Sequence, residues 1–354
     1  MNQTSKRYGD LCRRRQNFLQ RAWDASELTI PFILPRHGTQ DQELPTPYQS
    51  IGARGVNNLS AKLLLTLFPP NSPFFKFQID DFTLAELEAQ RAPVEEGLNA
   101  MERSVMDEVE AKAMRVPLNE ALRHLIITGN ACLHVDKDNA VRVFHLDQFV
   151  VRRDPQGKML EIIVHEMMSR ELYMDIFGTL PPKESGDTDK ADEKELNLYT
   201  VVRRKDNKIH VHQEVNDMKI PNTDSKYPLD KNPWLTLRFS SIDGEDYGRG
   251  FVEEYLGDLK ALEGLSKAIL EGSCAAARAI FLVRPNGTTK LKTISQAPNL
   301  AVRQGSAEDV SVLQMEKFND FRVARETLET TERRLAAAFL LNQSVQRDAE
   351  RVTA

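Results

Sequence analysis

The chain has 354 residues, too many for one small core and enough for two or three packed units, since domains cluster at roughly 100 to 200 residues. With 41% hydrophobic and 28% charged residues it is not generally disordered, and its longest nearly apolar run, Leu63 to Phe68, falls far short of the ~20 residues a membrane-spanning helix needs. A net charge of −5 counts against a repressor-like DNA binder, which needs surplus Lys and Arg to displace counterions from phosphates, but does not count against duplex that merely slides past.

The start of the chain has no signal-peptide pattern, so an aqueous compartment is expected. Cys12, Cys132 and Cys274 are odd in number, widely spaced and outside any C-x-x-C pair. Neither a disulfide framework nor a zinc knuckle follows, and a reducing interior is the simplest setting.

Lys6, Arg7, Arg13, Arg14, Arg15 and Arg21 alternate with Leu11, Phe18, Leu19, Ala22 and Trp23, which predicts an amphipathic helix. Its basic side is expected to be a solvated face packed on the body, with a nucleic-acid or capsid contact as the alternative. Pro31, Pro35, Gly38, Pro45 and Pro47 then predict a loop or arm. Ile51, Val56, Leu59, Leu63, Leu64 and Leu67 recur at helical spacing between Tyr48 and Phe68, stopped by Pro69-Pro70. After an extended piece, Phe74 to Ile79, helical spacing resumes from Leu84 to Ala113 with a break expected at Pro93. Another helix runs from Pro117 to Thr128 and stops at Gly129-Asn130.

Alternation then replaces the helical period: Cys132 to Val135 and Val141 to Phe144 flank the turn residues Asp138-Asn139. Met159 to Met167 and Leu198 to Arg203 continue the strand signal, and Lys208 to Val215 is expected to pair with the latter across Asp206-Asn207. Lys183 to Glu195, charged and nearly free of apolar residues, reads as an exposed insertion loop. Trp234 to Phe239 is one more strand, and glycines at 244, 248 and 250 turn the chain into a long helix from Phe251 to about Ala277.

That helix places Val252, Tyr255, Leu259, Leu262, Leu265 and Ile269 on one stripe and would run about 40 Å. Strand candidates Ala279 to Val283, Leu300 to Arg303 and Val310 to Leu313 follow, with turns at Pro285-Asn286-Gly287, Pro298-Asn299 and Gly305. A last helix from Asn319 to about Leu340 repeats Phe321, Ala324, Leu328, Thr331, Leu335 and Ala338 at alternating 3 and 4 spacing, a stripe suited to a neighbouring helix. The fold class expected is α+β, ending in helix, small mixed module, helix.

Chemistry-bearing patterns are sparse. His210 and His212 share one strand face, a spacing seen in metal sites, but no third ligand stands nearby and ordinary strand histidines are the better reading. Gly244 to Gly250 lacks both G-x-x-x-x-G-K-[ST] and a G-x-G-x-x-G after a strand, so no nucleotide site is expected. Glu253-Glu254 with Asp258, and Asp80-Asp81, offer carboxylate clusters for a metal-dependent nuclease or motor subunit, although such clusters on amphipathic helices are usually solvated faces. No catalytic, cofactor or metal residue is assigned.

Three stretches carry a resemblance: Tyr48-Gln-Ser-Ile-Gly-Ala-Arg-Gly-Val-Asn-Asn-Leu-Ser-Ala-Lys62 running on to Pro69, Asp243-Gly-Glu-Asp-Tyr-Gly-Arg-Gly-Phe-Val-Glu-Glu-Tyr-Leu-Gly-Asp-Leu259, and Ala337 to Ala354. With the intervening segments in order, the sequence resembles, nearly end to end, the portal (head-to-tail connector) proteins of short-tailed podoviruses of the autographivirus type. The resemblance implies a portal fold. Residues 1–47 would be an N-terminal helix and arm, 48–248 the wing with its exposed loop at 183–195, 249–277 and 318–340 the stem helices, 278–317 the clip, and 341–354 the start of the tunnel loop. Family members are considerably longer, so a C-terminal wing helix and crown would be absent from this stretch.

The resemblance further implies a ring, typically of twelve copies, around an axial channel at one capsid vertex of the virion, assembled in the host cytoplasm. Its partners would be the terminase large subunit, tail adaptor and nozzle proteins, major capsid and scaffolding proteins, internal core proteins and double-stranded DNA, with no membrane and no cofactor. The stem would pack through Val252, Tyr255, Leu259, Leu262, Ile269, Phe321, Leu328 and Leu335. Arg347 and Arg351, beside Gln343, Ser344 and Gln346, would touch phosphates in the tunnel loop, with helix capping or intersubunit pairing as the alternative. A monomeric tail adaptor and a metal-dependent nuclease or motor subunit are the competing readings.

Overall fold

Apolar residues at helical spacing give α1 (Thr4–Glu27) in the computed structural model, which describes residues 4–36, 43–70, 72–79, 91–181, 195–276, 280–285, 302, 306–313 and 318–341. Three basic residues on α1 depart from the expected solvated face. Arg15 is 4% exposed, and its Nη1 donates to the carbonyls of Leu146, Asp147 and Phe149 at 2.7 to 2.8 Å. Arg7 and Arg21 reach Glu161 and Glu253. A guanidinium can be buried where several carbonyls accept its N–H groups, and the edge of a sheet supplies them. Lys6, Arg13 and Arg14 keep the expected exposure, Arg13 at 80%.

The next helices are α2 (Ile51–Leu67), α3 (Arg91–Ala111) and α4 (Arg115–Thr128). Pro93 falls in the first turn of α3. The stretch from Leu84 to Gln90, on which the expected break at Pro93 depends, lies outside the described residues. Gly129 ends α4 with φ 75° and donates its N–H to the Leu125 carbonyl, the left-handed stop that its sequence predicts.

Strands β1 (Asn130–Val135) and β2 (Val141–Phe144) form the expected hairpin, and β9 (Trp234–Arg238) adds to the other edge of β1, giving the order β2-β1-β9. A second sheet runs β3 (Phe149–Arg153), β4 (Met159–Met168), β5 (Leu196–Lys205), β6 (Lys208–Val215) and β7 (Met218–Lys219), with β8 (Ser225–Pro228) also on β6. All these pairings are antiparallel. Asp206 and Asn207, at φ 51° and 58°, make the two-residue turn between β5 and β6 that the sequence predicts.

Strand β3 and helix α5 (Arg170–Phe177) were not anticipated from the pattern. For β3 the reason is burial on both sides. Val151, Ile162, Val164 and Val202 pack with Leu19 and Ala22 of α1 in one cluster, while Val150, Ile163 and Val201 pack with Leu11 in another. A strand apolar on both faces loses the alternation by which strands are recognised.

The expected single helix from Phe251 to Ala277 is two: α6 (Phe251–Glu254) and α7 (Leu256–Ala276). Tyr255 leaves helical geometry at φ −108°, where its ring packs near Phe251 and Phe339. Later come β10 (Ile280–Val283), antiparallel to β11 (Val310–Leu313), and α8 (Phe318–Ala338). The predicted strand Leu300 to Arg303 and the turns at 286–287, 298–299 and 305 lie outside the described residues, apart from an exposed Val302.

The chain divides into two units, residues 1–257 with 336–354 and residues 258–335, with the divisions inside α7 and α8. Within the second unit Arg334 Nη2 donates to Asp258 Oδ1 at 3.1 Å, and Leu259, Leu262 and Leu335 are buried. The fold is α+β, as expected. No described helix is long and apolar enough to cross a membrane.

Candidate functional site

The three stretches that carry the family resemblance meet at one residue, Phe339. It follows the last turn of α8, is fully buried, and precedes Leu340, which adopts φ 56°. Its ring lies 5.6 Å from that of Phe251 and 6.1 Å from that of Tyr255. On the α2 side it rests on Gly55, where a Cβ would stand 2.5 Å from Phe339 Cγ.

Helix α2 also holds the carbonyls that the end of α8 leaves without helical partners. Asn58 Nδ2 donates to the Phe339 carbonyl at 2.9 Å, and Lys62 Nζ donates to the Leu340 carbonyl at 2.6 Å. The ammonium sits at the negative end of the helix dipole. The other glycine of this turn of α2, Gly52, lies against the Leu28 carbonyl with no room for a Cβ. Gln49 bridges the two by donating to Leu28 O and accepting from Gly52 N. The glycines of Ile51-Gly-Ala-Arg-Gly55 are therefore contact surfaces on a helix, which neither periodicity nor propensity could reveal.

The glycine-rich turn before Phe251 serves packing and not phosphate binding. Asn130 is 2% exposed; its Oδ1 accepts from Gly248 N at 2.7 Å and its Nδ2 donates to Gly248 O at 3.0 Å and to Thr128 O at 2.9 Å. A Cβ on Gly248 would stand 2.7 Å from Gly129 O, and one on Gly250 would overlap Ile127 O. Beside this clasp Tyr247 is buried, with its hydroxyl accepting from Val151 N, and Asp246 Oδ1 accepts from Arg153 N. Burial pushes the Tyr247 phenol well above its ordinary pKa, with the Val151 hydrogen bond working against it. The segment that leads into α6 is thus fixed to the ends of α4, β1 and β3.

The remaining candidates resolve into ion pairs. Glu253 pairs with Arg21 at 3.0 Å and Arg249 at 3.1 Å, and Arg249 also binds Glu245. Among the described residues no group of three His, Cys, Asp or Glu could hold a metal, and Asp80-Asp81 lie outside them. His212 contacts Glu214 at 2.8 Å, and His210 stands opposite Arg203 across β5 and β6.

Of the apolar stripe, Val252, Leu259, Leu262 and Leu335 are buried while Tyr255, Ile269 and Leu328 are half-buried. The Phe321 side chain lies outside what is described, as do Gln343, Ser344, Gln346, Arg347 and Arg351.

Residues 1–354 match the profile of the family described as bacteriophage head to tail connecting protein. The chain is 37% identical over 363 aligned positions to the portal protein of Enterobacteria phage T3, covering 98% of this chain and 66% of that one. It is 35% identical over 357 positions to the portal protein of Escherichia phage T7, covering 96% and 65%. It therefore spans about two thirds of the length of these relatives. A chain in the neck of a native gene transfer agent particle, computed with C12 symmetry, aligns with a TM-score of 0.36 at 11% identity over 68% of this chain and 59% of that chain. The chain belongs to the bacteriophage head to tail connecting protein family.

Proposed function

We propose that the chain is the body of a portal subunit, which with further copies of itself forms a ring around a DNA channel at one vertex of the capsid. The observation that carries this reading is the 37% and 35% identity, along nearly the whole chain, to two proteins named portal proteins. The role is structural: duplex enters through the ring during packaging, is held there, and leaves through it at ejection. In this reading residues 48–248 are the wing, 249–277 and 318–340 the stem, 278–317 the clip and 341–354 the start of the tunnel loop.

The buried seat of Phe339 supports the last assignment, because a loop that works on passing DNA needs a root that does not move with it. From that root Gln343, Ser344, Gln346, Arg347 and Arg351 would face the phosphates. The stripe of Val252, Tyr255, Leu259, Leu262, Ile269, Phe321, Leu328 and Leu335 would pack the stem. Copies related by rotation, twelve in the expected ring, would join through a head-to-tail interface that closes on itself. The clip would dock the terminase large subunit and later the tail adaptor and nozzle. The wing would meet capsid, scaffolding and internal core proteins.

Negative-stain electron microscopy with light scattering, on the gene product that carries this chain, tests the reading. Rings with a central hole are expected; particles that remain monomeric at every concentration would overturn it in favour of an adaptor. Deleting Lys290 to Gln296 should abolish motor docking while leaving rings intact.

A further inference from the structure

The sheet of β3 to β8 carries a charged row across one face. Arg152 stands opposite Glu161, Glu161 opposite Arg203, Arg203 opposite His210, and His210 opposite Lys226. Directly paired residues in antiparallel strands point to the same side, and at ~4.8 Å per strand the row is roughly 19 Å long. Two residues on, toward the β5–β6 turn, Lys205 faces Lys208 on that same side. Two residues back are Val150, Ile163 and Val201, covered by Leu11 of α1. Helix α1 thus covers the apolar half of the face and leaves the basic half open as a groove of about 750 Å³.

The charges of this groove are unbalanced. Glu161 is taken by Arg7 and Arg203, and Asp224 by Lys219. Arg152, Lys205 and Lys208 have no carboxylate partner among the described residues. Like charges placed opposite one another cost a sheet stability, so the Lys205–Lys208 pair is a local conflict that an external anion would relieve. Burial alone would raise the Glu161 carboxyl, but hydrogen bonds from Arg7 and Arg203 outweigh it and keep the group ionised. Since Arg203 uses only its Nε on Glu161, its two Nη groups remain to face outward.

The lining also narrows the partner. Leu160 is its one aliphatic residue, whereas a protein partner needs an apolar centre to anchor on. Apart from His210 and His212 it holds no ring on which unstacked bases could lie, as single-strand binders require. We infer that this face binds the phosphate backbone of double-stranded nucleic acid without reading its sequence. The chain's −5 charge does not prevent it, because at physiological salt charges beyond ~8 Å are screened and the row acts locally. The inference is independent of ring formation and concerns residues far in sequence from 341–354.

Fluorescence anisotropy of labelled duplexes of about 20 base pairs and two unrelated sequences, titrated with the chain at roughly 50 to 200 mM salt, tests it. Both duplexes should bind alike, with log affinity falling by about 0.9 per phosphate contact for each tenfold rise in salt. The variant Arg152→Ala with Lys205→Ala and Lys208→Ala should bind about tenfold or more weakly, with a salt slope shallower by about 2.7 and unchanged thermal unfolding. Arg152→Lys with Lys205→Arg and Lys208→Arg should retain binding. Absence of duplex binding at the lowest salt, a triple variant with the parent's affinity and slope, or tighter capture of polyglutamate than of duplex would each overturn the inference, the last in favour of an acidic protein partner.

Discussion

Gly55 and Phe339 touch so closely that a Cβ on the first would stand 2.5 Å from Cγ of the second, tying α2 to the end of α8. The ring is fully buried and also packs near Phe251 and Tyr255, so it has nowhere to retreat. Gly55→Ala should therefore cost about 1 to 3 kcal/mol in urea unfolding, the usual penalty of overpacking. Combining it with Phe339→Leu should be less damaging than the sum of the two single changes by at least ~0.5 kcal/mol, because the smaller side chain vacates the space the methyl needs. Strict additivity would show that the two residues do not share that space.

Asn130 presents an acceptor to Gly248 N and donors to Gly248 O and Thr128 O, all within the buried clasp. Asn130→Asp keeps the acceptor but turns the other oxygen toward two carbonyls. At neutral pH this should cost about 1 to 3 kcal/mol. Burial would raise the new carboxyl above its unfolded value of about 3.9, so the destabilisation should be full above the folded pKa and fade as pH falls toward the unfolded one. Thermal unfolding of variant and parent across pH 4 to 7 measures the narrowing gap; a constant gap would refute the clasp.

His124 is 4% exposed and its ring stacks 6.4 Å from that of His145. Burial first, and the neighbouring His145 second, push its pKa from 6.5 down to about 3. Because the unfolded chain takes up a proton below 6.5 that the folded one refuses, stability is complete above that pH and declines as pH falls toward about 3. The loss should be on the order of 1.4 kcal/mol per pH unit in that window. His124→Leu should flatten the acid limb of the stability profile by about one proton, read from denaturant midpoints. An unchanged limb would place the proton uptake elsewhere.

Arg347 belongs to the proposed tunnel loop, beyond the described residues. Arg347→Ala should leave ring assembly unchanged while altering DNA retention or packaging, measured as the fraction of filled heads. Rings that no longer form would assign the residue to an intersubunit contact, and filled heads at the parental level would remove it from the channel.

Much of the local structure is dictated by the sequence. Helix α2 and its stop before Pro69-Pro70, the left-handed end of α4 at Gly129 and the two-residue turn at Asp206-Asn207 all follow from spacing and turn chemistry acting over a few residues. So does the order of a helix, a small module and a second helix in the last hundred or so residues, and so does membership of the family, carried by long contiguous stretches. The tertiary structure decided what depends on distant partners. It buried Arg15 where carbonyls at a strand edge accept its N–H groups, broke the helix at Tyr255 beside the Phe339 ring, and hid β3 by covering both its faces. It also brought Gly55, Phe251 and Phe339 together and laid Arg152, Arg203 and Lys226 across three strands into one row. Periodicity records only which way a side chain points along its own element; what it meets there is set by pairing register and packing between segments far apart in the chain.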